Sequence, residues 1–209
     1  MSEKTMRLVA VFFTGLLLSG CATLSKDECL QADWQTLGYA DGVQGRSPAR
    51  IDTYRQDCAK HQIVPDLALY QRGHRQGLQL FCRTSNGYEF GRKGQSYQGV
   101  CQGEAEVDFL LGFDAGRRIF LLEQQAQQTE RSLAQHERDH QQLAQTITEK
   151  EALMFGDGQT PEGRQQLYRE ISQHRQQQAE LLRTRTQLEY QLAGLQHQIL
   201  ELEQTFSFY

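Results

Sequence analysis

The chain has 209 residues, 22 basic and 26 acidic side chains, a net charge of −4 and only 38% hydrophobic residues. This balance excludes a nucleic-acid binder held by phosphate contacts. The low apolar fraction excludes a multi-span membrane protein and a large α/β enzyme core. Residues 21–116 carry twelve of the eighteen glycines and all five cysteines, whereas residues 117–209 carry 20 of the 31 glutamines and no cysteine.

Residues 1–20 have the layout of a signal peptide, with a basic start at Lys4 and Arg7, an apolar run from Leu8 to Leu18, then small residues. The apolar run is too short to span a bilayer. The stretch Leu18-Ser19-Gly20-Cys21 resembles the lipobox of bacterial lipoproteins. That resemblance implies cleavage before Cys21, a diacylglycerol on its thiol and an acyl chain, such as palmitate, on its new amine. Several acyl chains anchor stably where one does not. Ala22, rather than Asp, follows the cysteine, which by resemblance to lipoprotein sorting implies the periplasm-facing side of the outer membrane.

Export places Cys29, Cys58, Cys82 and Cys101 in an oxidising compartment, where an even count favours disulfides. Three pairings are possible. Cys29–Cys58 with Cys82–Cys101 is favoured because each bond closes a local segment, and the other two stay open. The cysteine spacings lack the close pairs of a zinc site.

A short unit recurs in this region: Gly38-Tyr39-Ala40-Asp41-Gly42, Gly73-His74-Arg75-Gln76-Gly77, Gly87-Tyr88-Glu89-Phe90-Gly91 and Gly112-Phe113-Asp114-Ala115-Gly116. Glycines four apart share one helical face and permit close backbone approach. The intervals between units are irregular, which excludes a regular solenoid. Ser47-Pro48 reads as a helix start with Ile51, Tyr54 and Cys58 on one side. Pro65-Asp66 opens a second helix with Leu67, Leu69, Tyr70, Gly73, Gly77 and Phe81. Residues 83–96 read as loop, with a turn at Ser85-Asn86-Gly87, and 86–101 could instead form a β-hairpin.

The order Trp34, Gly38-Tyr39, Asp41-Gly42, Gly45, Cys58, Tyr70, Gly73, Gly77, Phe81-Cys82, Gly87, Gly91, Gly94, Tyr97, Cys101, Phe109, Gly112-Phe113 and Gly116 resembles a family of bacterial lipoproteins. That family is known only as a domain of unknown function, number 2799 in its series. The resemblance covers about residues 21–122 and implies no activity, substrate or catalytic residue.

From Ile119 the chain carries a seam at alternating steps of three and four: Leu122, Ala126, Thr129, Leu133, His136, His140, Leu143, Ile147, Lys150 and Met154. A breaker follows near 155–160, where Thr160 suits an N-cap and Pro161 the first helical turn. The second seam is Leu167, Ile171, His174, Gln178, Leu181, Arg185, Leu188, Leu192, Leu195, Ile199, Leu202 and Phe206. About five heptads in each arm meet the coiled-coil criterion, and the short loop makes the arms antiparallel. Parallel self-association through one arm is the competing arrangement. The terminal aromatics Phe206, Phe208 and Tyr209 are expected to return toward the smaller domain.

His136-Glu137-Arg138-Asp139-His140 matches H-E-x-x-H, the spacing that sets two zinc-binding histidines on one helical face with the glutamate as general base. A loop centred near 157–158 sets His140 opposite about position 175, so His174 is expected beside it and Glu137 or Glu180 near. A two-helix hairpin has no substrate cleft, so the plainer expectation is a polar layer that fixes register. Asp41, Glu89 and Asp114 have no partner for acid–base work. The basic residues Arg72, Arg75, Arg83, Arg92 and Lys93 read as a solvated face.

The fold class is therefore all-α. Residues 1–20 are a removed signal peptide, 21–116 a disulfide-stapled Gly/aromatic domain, and 117–209 an antiparallel coiled-coil hairpin. The expected function is a non-enzymatic, lipid-anchored envelope protein without cofactor, whose hairpin presents a binding or spacer surface to a periplasmic partner. The alternatives are metal binding or metalloenzyme chemistry through His136, Glu137, His140 and His174, and an envelope ligand-binding module built on the N-terminal domain.

Overall fold

The computed structural model describes residues 24–206. The signal segment, Cys21 and residues 207–209 lie outside it. Among the described residues there are seven helices and no strand: α1 (Lys26–Gln31), α2 (Trp34–Val43), α3 (Arg50–Ala59), α4 (Leu67–Phe81), α5 (Thr84–Arg92), α6 (Glu104–Phe155) and α7 (Pro161–Phe206). Disulfides join Cys29 to Cys58 and Cys82 to Cys101, with Cα atoms 5.6 and 5.7 Å apart.

Local chemistry sets most helix starts. Ser25 and Glu28 form a reciprocal capping box on α1. Asp33 accepts from the backbone N–H groups of Gln35 and Thr36 at the start of α2, and Asp66 accepts from Leu69 N–H at the start of α4. Thr160 Oγ1 accepts from Gly163 N–H ahead of α7. The cap of α3 is Ala49, two residues past the expected Ser47, and no side chain caps it. Ser47 accepts from Ala49 N–H, and a turn through Pro48 leads into α3.

The contacts divide the described chain into two compact units. One holds residues up to 83 with 97–106; the other holds 84–96 with everything from 107. Composition alone set the boundary at 116. It falls elsewhere because α6 runs unbroken through that point and α5 packs against it.

In the first unit α2 and α4 cross at their glycines. A Cβ at Gly38 would strike the carbonyl of Tyr70, at Gly42 that of His74, at Gly73 that of Gln35 and at Gly77 that of Tyr39. Cys29, Trp34, Ile51, Tyr54, Cys58 and Tyr70 form the core beside this contact. Two buried half-cystines therefore sit among its aromatic side chains.

In the second unit α5 and α6 repeat the same crossing. A Cβ at Gly87 would strike the carbonyl of Phe109, at Gly91 that of Phe113, at Gly112 that of Thr84 and at Gly116 that of Tyr88. The correspondence continues past the helix ends. Gly45 and Gly94, at φ +65° and +66°, lie on the rings of Phe81 and Phe120, where a side chain would be both strained and obstructed. Arg46 N–H bonds the carbonyl of Asp41, and Gln95 N–H that of Phe90. The four glycine units are thus two copies of one helix pair. The interval between partners differs because the first copy inserts α3 between its two helices.

Residues 84–92 are helix, not the expected loop or β-hairpin. The turn chemistry of Ser85-Asn86-Gly87 is overridden because Gly87 and Gly91 fit only a helix lying directly on α6.

The hairpin of α6 and α7 also belongs to the second unit. At 1.5 Å per residue its arms of 52 and 46 residues are about 78 and 69 Å long. Every seam position expected on α6 is buried or half-buried. On α7 one position changes: Thr184 is half-buried in the seam, while Arg185 turns outward to Glu137 and Glu189. Phe206 stacks on Tyr88 with ring centroids 5.9 Å apart, and Arg92 bridges Glu123 at 2.8 Å and Glu203 at 3.3 Å. The end of α7 is therefore fastened to α5. No helix among the described residues is long and apolar enough to cross a membrane.

Candidate functional site

The H-E-x-x-H segment lies on α6, inside the hairpin. Glu137 is not free to act as a base. Its carboxylate accepts from Arg185 Nη1 at 2.9 Å and from Gln141 Nε2 at 2.9 Å. Ion pairs of Glu137 with Arg185, Lys150 with Glu170 and Glu151 with Arg175 fix how the arms face. Carried along the helices, this register sets His136 level with Thr184, His140 with Leu181 and His174 with Ile147.

His174 is therefore about 10 Å along the hairpin from the level of His140, at 1.5 Å per residue over some seven residues. The three imidazoles do not converge, and His174 Nδ1 instead meets Gln177 Oε1 at 3.1 Å. Among the described residues no group of three or more His, Cys, Asp and Glu side chains is placed to hold a metal ion. The expectation of convergence took the loop midpoint as the axis of pairing. The apolar seam sets the register instead, bringing Ile119 level with Leu202 and Leu133 with Leu188. His136 and His140 are half-buried members of that seam.

The most elaborate polar constellation lies in the first unit and centres on Asp41. The carboxylate is 2% exposed. Its Oδ1 accepts from Arg46 Nη1 at 3.0 Å, and its Oδ2 accepts from the hydroxyls of Tyr54 at 3.1 Å and Tyr70 at 2.8 Å. One carboxylate thus ties α2 to α3 and α4. His74 Nε2 donates to the carbonyl of Arg46 at 2.7 Å, since a carbonyl oxygen can only accept. The rings of Tyr70 and His74 stack at 6.0 Å, and the Arg50 guanidinium lies 5.5 Å from the centre of Tyr54.

Burial, and secondarily the contacts with Asp41, push the Tyr70 phenol far above its ordinary range. Burial raises Tyr54 as well. Both hydroxyls therefore stay protonated and keep donating. With its oxygens engaged by three donors and almost no surface, Asp41 has no access to substrate. The cluster is a structural lock. The second copy makes the same crossing without it: Phe90, Phe109 and Phe113 occupy the positions of Asp41, Tyr70 and His74, with Phe109 stacked on Phe113 and Phe90 tilted against Phe109. The sequence showed the repeat but not that Tyr54 and Tyr70 aim at Asp41. The available sign was two tyrosines on the inward faces of their helices, because a buried phenol needs an acceptor.

These raised phenols give a pH dependence with a definite sign. In the unfolded chain tyrosine loses its proton near pH 10, whereas the folded chain holds it. Stability is therefore expected to be intact below about pH 10 and to fall above it, as the unfolded state releases protons that the native state retains. Alkaline titration followed by phenolate absorbance and Trp34 fluorescence checks this. Tyr70→Phe should flatten the dependence.

Residues 33–118 match the family model of a protein of unknown function, DUF2799. The matched segment starts at the cap of α2 and ends two residues past Gly116, so it spans both helix pairs and little of the hairpin. It is less than half of the chain. The match to DUF2799 thus falls on the glycine-crossed repeat of this chain. No curated protein and no solved structure matches the chain.

The hairpin offers the accessible surface. Around its loop Phe155 is 75% exposed, Tyr168 65% and Leu153 56%, although the seam nearby buries Ile147 and Ile171. Large apolar side chains thus stand in water at the closed end of the hairpin.

Proposed function

We propose that this chain is a non-enzymatic envelope protein, anchored to the periplasmic face of the outer membrane through acyl chains on Cys21, whose hairpin presents its closed end to a periplasmic protein. The observation that carries the reading is the exposure of Leu153, Phe155 and Tyr168 beside the Gly156-Asp157-Gly158 turn. Large apolar groups left in water at the closed end of an otherwise polar hairpin are contacts that a protein partner would bury. Engagement of Glu137 by Arg185 weighs against the metalloprotease alternative. The lipobox-like sequence before Cys21 supports the lipid anchor.

Two measurements on the full chain test the two halves of this reading. Metabolic labelling with an alkyne fatty acid is expected to mark the unsubstituted chain and not Cys21→Ser. Equal labelling of both would refute the anchor. A photo-crosslinking residue at Phe155 is expected to capture a discrete envelope protein, and one at the exposed Gln187 is not. Capture at neither site, or equally at both, would refute the role of the closed end.

A further inference from the structure

The helix α7 has a second face. Leu182, Thr186, Tyr190, Ala193, His197 and Leu200 follow one another at steps of three and four and are all exposed. Tyr190 is 78% and Leu200 57% exposed. At 3.6 residues per turn this stripe lies about 130° around the helix from the seam that faces α6. A helix with two apolar-centred stripes is built to pack on two sides.

We propose that this stripe pairs, antiparallel and with two-fold symmetry, with α7 of a second copy of the chain. The pattern is self-complementary when read backwards. Leu182 meets Leu200 of the partner subunit, Thr186 meets His197 of the partner subunit, and the large Tyr190 ring covers Ala193 of the partner subunit. Symmetry makes each contact twice. A parallel pair would set ring against ring at Tyr190 and leave a gap at Ala193.

Charge selects the same direction. Arg183 flanks the stripe at one end and Glu201 at the other. Antiparallel pairing brings Arg183 to Glu201 of the partner subunit, whereas parallel pairing brings like to like. Among the described residues Arg183 pairs with Glu180 and Glu201 with His197, each in a solvent-exposed contact 3.7 Å long. Such contacts contribute little and leave the groups available. The proposal does not rest on lipid attachment or on the closed end of the hairpin.

The test uses the full chain carrying Leu182→Cys, Leu200→Cys or both, under mild oxidation on a non-reducing gel. In the antiparallel dimer each added cysteine lies about 28 Å from its own copy, far beyond the Cα separation of about 7 Å that a disulfide allows. The double variant is therefore expected to give a dimer band at least tenfold stronger than either single variant or the unsubstituted chain, roughly as far as those distances permit. Singles that crosslink as strongly as the double would overturn the antiparallel arrangement. No dimer band in the double variant would overturn self-association. Ala193→Arg, at an exposed helical position, should keep its helical circular dichroism and shift the unoxidised chain to monomer in light scattering. A dimer mass unchanged by that substitution would also count against the proposal.

Discussion

Replacing Gly73 or Gly112 by alanine is expected to destabilise the unit that holds it by about 3 kcal/mol or more, at the upper end of the cost of overpacking. The added Cβ would meet the carbonyl oxygen of Gln35 in one case and of Thr84 in the other. Neither oxygen can yield like the tip of a flexible side chain, because each belongs to the backbone of the facing helix. The helices must separate, and the neighbouring glycine contacts loosen with them. Alanine ordinarily stabilises a helix by about 1 kcal/mol over glycine, so the steric loss must exceed that gain.

Gly194 provides the control. It lies in α7 with nothing within 4 Å of a built Cβ, so Gly194→Ala should gain about 1 kcal/mol. Trp34 is the sole tryptophan and belongs to the first unit, while the long helices of the second dominate the circular dichroism. Chemical unfolding read by both signals should therefore separate the variants. Gly73→Ala lowers the Trp34 transition, and Gly112→Ala lowers the helical transition. Equal shifts of both signals in both variants would show that the two copies do not unfold separately.

The hairpin was legible because its signals are local and repeated. The three–four spacing identified every α6 seam residue, and Thr160-Pro161 marked the start of α7. Register was harder. The loop suggests one alignment and the leucines another, and only the cross-helix partners of Glu137, Lys150 and Glu151 decide between them. The glycine units were visible one by one. Their pairing was not, because all four look alike and α3 lengthens one interval. Residues 84–92 misled because Ser85-Asn86-Gly87 favours a turn in isolation, and only the approach of α6 explains its glycines. The Asp41 cluster was least legible. Nothing local tells which hydroxyls meet a carboxylate from residues 13 and 29 positions away.

That cluster makes the two copies energetically unlike. Asp41→Ala leaves the Tyr54 and Tyr70 hydroxyls buried without an acceptor, and is expected to cost about 3–5 kcal/mol, as breaking a buried charged network does. Asp41→Asn should cost much less, about 1 kcal/mol, because an amide oxygen can still accept from both phenols. What the amide loses is the charged pair with Arg46, whose side chain is 45% exposed, so solvent screens part of that contact. Tyr70→Phe should fall between them, since it removes the shorter phenol bond and leaves Asp41 with Tyr54 and Arg46. In a double-mutant cycle Asp41→Ala and Tyr70→Phe should be strongly non-additive, because once Asp41 is gone the Tyr70 hydroxyl is itself the liability. Unfolding followed through Trp34 measures the whole series. An alanine variant as stable as the asparagine variant would mean that the tyrosines find other acceptors, and that the carboxylate does not hold α2, α3 and α4 together.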